Sequence, residues 1–336
     1  MGNRFAAMLV AIVSLAMAIT TPARAETDEV KLATQYGIGY LALTIMKHDK
    51  LVEKQLAQAG LPDTKVAWVK LAAGAAANDA LLSGTLDFAS GGTGPAFILW
   101  DKTRDNVDVR GVAALASMPN LLVTRDPNVK TIRDFSDSDK IAMAGAGSSV
   151  QTIYLEMAAA KIWGQDSYRK LNKLMVNLPH PEGLAALLSG ASEITAQFTS
   201  PPFQYYALEK PGIHTVLNSY DVMGGPNTFL MVWATDKFRS ANPKTYKAVL
   251  AALKEATDSI NANKRRAAEV YVQEGGNKDD VDKILKMMQD PQTSYTLTPE
   301  RVLPYSQFMY DVGVLKHRPK AWTDLFFPEI HDLPGS

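Results

Sequence analysis

Hydrophobic and polar positions alternate along this chain in two rhythms that take turns. Short apolar runs suited to strands occur at Val30–Gln35, Lys65–Lys70, Lys140–Ala144 and Lys173–Asn177. Between them lie amphipathic stretches of helical length, Leu41 to about Ala59 and Val150–Trp163. Strands alternating with helices predict parallel βαβ units with right-handed crossovers.

The pattern is written twice. Ala80-Leu81-Leu82-Ser83-Gly84 recurs as Ala186-Leu187-Leu188-Ser189-Gly190, an offset of 106 residues. The register persists: Asp87 corresponds to Glu193, Pro95 to Pro201 and Phe97 to Phe203. A five-residue match between Ala/Leu-rich helices is weak by itself; register kept through the next turn and proline marks a duplication. Each copy reads as the end of a helix, a glycine stop, a strand (Leu86–Ser90 or Glu193–Gln197), a small-residue turn and a proline opening the next helix. Two α/β lobes follow, residues 26–117 and 118–235, each a mostly parallel sheet flanked by helices. Apolar extended segments near 118–125 and 228–235 are expected to carry the chain across a two-strand hinge. From residue 236 to 336 the chain reads as mostly helical, with helices at Lys244–Asn263, Lys264–Gln273, Lys278–Met288 and Pro299–Gly313. They are expected to return and cover the first lobe, whose sheet face would otherwise meet water.

The N-terminus reads as an address. A basic start ending in Arg4, an apolar run from Ala6 to Ile19 and Ala23-Arg24-Ala25 have the form of a secretory signal cut after Ala25. The apolar run is shorter than the roughly 20 residues that span a bilayer. Cysteine is absent, which removes disulfides, thiolate metal sites, cysteine nucleophiles and a lipid-bearing N-terminal cysteine. Lys+Arg and Asp+Glu each number 35, so no strong field recommends nucleic acid as a partner. A monomeric periplasmic protein, touching the membrane only through a partner, is the expectation.

In open parallel sheets, ligands bind beyond the carboxyl ends of the strands. That rule selects six turns: Gln35–Tyr40, Leu71–Ala76, Ser90–Pro95, Gly145–Gln151, Leu178–Gly183 and Gln197–Pro202. They are rich in small residues and several open a helix, where free N–H groups and the positive end of the dipole attract anions. Glu182 is their only carboxylate, and no Lys or Arg occurs in them. Three or four charge-assisted N–H contacts of roughly 1.5–3 kcal/mol each suffice for one monoanionic head. The candidate ligand-binding residues are Tyr36, Gly37, Gly74, Ala75, Thr93, Gly94, Ser148, Ser149, Gln151, His180, Glu182 and Thr199. Tyr36, Tyr40, Phe198 and Phe203 could cover an apolar tail or simply pack. Ser148 and Ser149 suit helix capping, and the cap and anion positions coincide. Glu182 favours the start of its own helix or pairs with a ligand amine. His180 is either a donor to ligand or a solvated turn residue.

Rival chemistries fail on spacing. Gly37-Ile38-Gly39-Tyr40-Leu41-Ala42 nearly fits a dinucleotide fingerprint, but the next strand ends Val69-Lys70-Leu71 without the acidic residue that would hold a ribose. Ser148 lacks the closing glycine of a nucleophile elbow, and His48, His180, His214, His317 and His331 are too scattered for a metal pair. No enzyme mechanism assembles, and no cofactor is implied.

Lys31-Leu32-Ala33, the stretch Leu82-Ser83-Gly84-Thr85-Leu86-Asp87-Phe88-Ala89, Leu122-Val123 and Thr131-Ile132-Arg133-Asp134-Phe135 carry a family resemblance. With the export signal they resemble periplasmic solute-binding proteins of ABC importers, of the nitrate/sulfonate/taurine type that also includes binders of thiamine-pathway pyrimidines. The resemblance implies two lobes closing on a small-molecule ligand and delivery to a permease with a cytoplasmic ATPase. It departs from several sulfonate binders of that group in having no arginine on a cleft turn. It also lacks the cysteine-rich motif of the eukaryotic pyrimidine-synthesis relatives. The ligand it implies is a small monoanionic organic solute such as a sulfonate, taurine or a carboxylate. The alternatives are a thiamine-precursor-like pyrimidine or other heteroaromatic solute, or a sensory role presenting ligand to a receptor.

Overall fold

The computed structural model describes residues 26–275 and 280–336. The expected export signal, Met1–Ala25, lies outside them, as does Lys278. Among the described residues no helix is long and apolar enough to cross a membrane.

The first copy of the repeat builds β1 (Glu29–Thr34), α1 (Leu41–His48), α2 (Leu51–Gln58), β2 (Lys65–Lys70), α3 (Gly74–Leu82), β3 (Ala89–Gly92), α4 (Thr93–Thr103) and β4 (Val109–Ser117). After β5 (Leu121–Thr124), the second copy repeats the order as β6 (Ile141–Met143), α5 (Val150–Trp163), β7 (Met175–Asn177), α6 (His180–Ser189), β8 (Ala196–Thr199), α7 (Phe203–Leu208) and β9 (His214–Asn218). Then come α8 (Ser219–Met223), β10 (Thr228–Thr235), α9 (Asp236–Ala241), α10 (Pro243–Ala262), α11 (Lys264–Gly275), α12 (Val281–Met288), β11 (Ser294–Tyr295) and α13 (Val302–Asp311).

The sheets repeat as the elements do. In the second lobe the strand order is β7-β6-β8-β5-β9, with β6 parallel to β7 and β8, and β5 antiparallel to β8 and β9. In the first lobe β1 runs parallel to β2, and β10 lies antiparallel between β3 and β4. The two pieces join where Leu32 bridges Phe88 and Ala33 N–H donates to the Phe88 carbonyl at 2.9 Å. The resulting order is β2-β1-β3-β10-β4-β11; its first five strands match the second lobe position for position, and β11 adds an antiparallel edge strand to β4. Each lobe receives its one central antiparallel strand from the segment entering it, β5 or β10. The chain passes between lobes around Met118–Asn120 and again before β10.

Local chemistry explains the shared boundaries. Gly84 (φ +75°) and Gly190 (φ +68°) stop α3 and α6 in the left-handed region, where a Cβ is costly. Leu82 and Leu188, the same repeat position, are both exposed. Both strands that follow begin three residues later than the hydrophobic runs imply, at Ala89 and Ala196; in the first copy the Thr85 and Leu86 N–H groups first close the helix end on the Ala80 carbonyl. The single helix expected over Leu41–Ala59 is two helices. The chain turns at Asp49-Lys50, with Lys50 at φ +52° and the Asp49 carboxylate taking Arg266 Nη2 at 2.7 Å from α11. A partner distant in sequence breaks a continuous pattern. The last helix also starts later than expected, at Val302, after Arg301 at φ +48°.

The C-terminal helices lie against the first lobe: Glu255 of α10 takes Lys54 at 2.6 Å and Gln55 at 2.8 Å, and Glu26 accepts from Thr245. The loop after α12 reaches the second lobe, where Tyr205 donates to Asp290 at 2.7 Å and Tyr220 to the Gln292 carbonyl at 2.9 Å. Lys283 of α12 pairs there with Glu209 at 2.6 Å. Burial of β10 is nearly complete along its length. Its Trp233 is fully buried and donates its indole N–H to Asn78 Oδ1 at 3.1 Å, while Asn78 Nδ2 donates to the Pro95 carbonyl at 2.8 Å. One asparagine thus ties α3 and α4 to the returning strand. Replacing Trp233 by Ala is expected to lower unfolding free energy by roughly 3–5 kcal/mol, the usual cost of emptying an aromatic core position. Urea denaturation followed by circular dichroism measures it.

Candidate functional site

The carboxyl ends of β1, β2 and β3 face those of β6, β7 and β8 across the gap between the lobes. One cavity there, of about 40 Å³, is lined from all six turns that the strand-end rule selects. Its walls come from the starts of five helices: Tyr40 before α1, Ala73 and Gly74 at α3, Gly92 at α4, Ser149 to Gln151 at α5, and His180 at α6. At α3, α4, α5 and α6 helix geometry leaves the first N–H groups without an intrahelical partner, and their dipoles place partial positive charge there. At α1 a preceding 3-10 turn, Ile38–Tyr40, already pairs them, Tyr40 N–H donating to the Gly37 carbonyl at 3.2 Å. No Asp, Glu, Lys or Arg is among the described lining residues. The field at this cavity is therefore that of oriented peptide groups.

The polar side chains are held by neighbours. Ser149 caps α5, its Oγ accepting from Thr152 N–H at 3.2 Å. Gln151, almost fully buried, donates Nε2 to Asn120 Oδ1 at 2.7 Å, so the first crossing between lobes is hydrogen-bonded to the cavity wall. Gln35 donates to the Ser90 carbonyl at 2.7 Å. His180 Nδ1 pairs with Thr199 Oγ1 at 2.9 Å, and its ring stacks on Phe203 with centroids 5.6 Å apart. Burial pushes the His180 imidazole down to about 4, which leaves it neutral at ordinary pH and a hydrogen-bonding group rather than a cation.

The lobes touch around this cavity. A Cβ on Gly94 would lie 2.6 Å from the Ser148 carbonyl oxygen, and one on Gly92 would lie 3.0 Å from Val150 Cβ. On another side Ile38 N–H donates to the Pro201 carbonyl at 3.3 Å. Glycine permits the approach at Gly92 and Gly94 because any larger residue would wedge the lobes apart.

Of the residues selected from sequence, Tyr36, Gly74, Ser149, Gln151 and His180 line the cavity. Gly37 lines a neighbouring chamber, and Thr93 and Gly94 are buried behind the wall. Ser148 lies outside the lining, with its carbonyl against Gly94. Thr199, fully buried, acts through His180. Ala75 and Glu182 are exposed on their helices and border neither space. Phe198 is core, packed on Tyr154, whereas Tyr40 reaches the lining. Reasoning from turns alone overlooked Gln35, Ser200, Phe229, Leu230 and Asn120. Gln35 and Ser200 stand inside the selected turns and could have been chosen by their polarity. Phe229 and Leu230 come from β10, whose place in the first lobe no local pattern reveals. Among the described residues no group of three His, Asp or Glu could hold a metal ion.

The profile of the NMT1-like family matches residues 23–272 of the chain. No curated protein matches it in sequence. Among solved structures, the alkanesulfonate-binding protein SsuA from Xanthomonas axonopodis pv. citri bound to MOPS superposes with a TM-score of 0.68 at 18% identity, over 88% of this chain and 96% of that one. The periplasmic aliphatic sulphonate binding protein SsuA from Escherichia coli gives 0.65 at 18%, over 90% and 92%. The periplasmic nitrate-binding protein NrtA from Synechocystis PCC 6803 gives 0.68 at 16%, over 86% and 83%. The fold is the two-lobed α/β fold of periplasmic binding proteins.

The His180 environment has a measurable consequence. Its folded value of about 4 lies below the ordinary 6.5, so the unfolded chain binds more protons between those limits. Its contribution to stability is complete above about pH 6.5 and is lost as pH falls towards 4. Denaturation midpoints measured across that window should fall less steeply for His180→Phe than for the parent, by at most about one proton in slope.

Proposed function

Because the chain belongs to the NMT1-like family, we propose that it is a non-catalytic periplasmic solute-binding protein. It captures a small monoanion between its lobes and hands it to the permease of an ABC importer. The observation that carries this reading is the meeting of four such helix starts, those of α3, α4, α5 and α6, at a cavity without a charged side chain among its described lining residues. Such a site favours one negative charge and leaves nothing to compensate a second. Sulfonate and nitrate binding by proteins of the same fold supports that ligand class.

Size refines the reading. About 40 Å³ holds a few water-sized groups, enough for a planar or tetrahedral anionic head. Entry then requires the lobes to part, and the contacts at Gly92, Gly94 and Ile38 reform around the bound ion. A ligand touching both lobes favours the closed arrangement by its differential affinity for it. His180 is neutral, and the Thr199 hydroxyl it pairs with is fully buried rather than in the cavity lining, which fits a binding role rather than turnover.

A thermal-shift screen with taurine, methanesulfonate, nitrate, acetate and an aminopyrimidine tests the proposal. At 100 times its dissociation constant a true ligand adds about 2.7 kcal/mol of stability. Stabilisation by an anion is expected. Response to the pyrimidine alone would move the protein to a heteroaromatic ligand, and response to none would refute the reading. Ser149→Trp fills the wall from α5 and should weaken the identified anion at least tenfold, about 1.4 kcal/mol, in titration calorimetry.

A further inference from the structure

Beside the cleft cavity lies a chamber of about 440 Å³, within the size range of small-molecule sites. The two share Gln35 and Tyr36 and are otherwise built from different residues. Trp68 from β2, Tyr36 after β1, Phe203 from α7 and Tyr271 from α11 give the chamber four aromatic faces. Lys47 from α1 and Lys70 from the end of β2 give it two ammonium groups. Glu274 is the sole carboxylate among the described lining residues, and it lies 3.2 Å from Lys47 Nζ. Lys70 Nζ instead sits over the Tyr36 ring, 4.0 Å from its centroid. The lining therefore carries a surplus of one positive charge. Partial burial, and then the charge of Lys47, hold the Lys70 ammonium below the usual lysine range, as expected of a cation facing another cation.

We propose that this chamber is a second solute site, which binds an aromatic organic monoanion with its ring among Trp68, Tyr36 and Phe203 and its acid group at Lys47 and Lys70. One negative charge neutralises the surplus. Flat aromatic walls suit a ring, which can stack or meet their edges. A cation between aromatic faces also strengthens the hold on an arylsulfonate or arylcarboxylate, because both ammonium and ring are already desolvated in part. Both lobes supply walls, Phe203 from the second and the lysines from the first, so an occupant also favours the closed form.

Titration calorimetry with p-toluenesulfonate and with benzoate, on the full chain, tests the site. At least one probe is expected to bind the parent protein. Lys70→Gln, an exposed change that leaves the core untouched, and Trp68→Leu should each weaken it at least tenfold. The arm that binds distinguishes sulfonate from carboxylate. If neither probe binds, or if affinity survives Lys70→Gln within twofold, the proposal is overturned. The small anions of the thermal-shift screen are read separately, so failure of the cleft reading leaves this result standing.

Discussion

Unpaired peptide N–H groups at the starts of helices are the constraint on which the rest of this molecule depends. Every helix leaves its first donors without an internal partner, and a parallel βαβ unit always delivers a helix start to the carboxyl edge of its sheet. One lobe with such an edge would leave these donors to water. Two lobes set edge to edge concentrate four such starts, those of α3, α4, α5 and α6, on a single small space. Oriented dipoles in a partly desolvated gap act with little screening and need no reorganisation when an anion arrives. That is why the cavity can dispense with lysine and arginine.

The remaining structure serves the meeting of those edges. Glycines at 92 and 94 let backbone approach backbone, and the Asn120–Gln151 hydrogen bond joins a lobe crossing to the cavity wall. Strands β5 and β10 each run antiparallel to both of their neighbours, so the chain crosses between lobes in the short segments before them. The C-terminal helices contact both lobes, through Glu255 with Lys54 and through Lys283 with Glu209.

Much of the fold was legible because the duplication is local chemistry repeated. Gly84 and Gly190 obey the same backbone requirement, and Ser149 follows the ordinary rule for a residue ahead of a helix. Turn positions were legible for the same reason, and Tyr36, Gly74, Ser149, Gln151 and His180 do share a cavity. Side-chain direction was not. Glu182 and Ala75 sit on the selected turns yet face solvent, because one step along a helix rotates a residue by about 100°. The break at Asp49-Lys50 was equally hidden, since its partner Arg266 is 217 residues away.

The order of strands and helices, their duplication and the scarcity of charge on the cleft turns were determined by the sequence itself, because each depends on spacing and residue type within a few tens of positions. Tertiary structure alone decided how closely the lobes approach, how small the cleft cavity is, and that Lys47 and Lys70 share a chamber with four aromatic rings. Those properties arise where side chains far apart in the chain compete for one volume. Packing of that kind depends on three-dimensional neighbours, for which a linear pattern carries no coordinate.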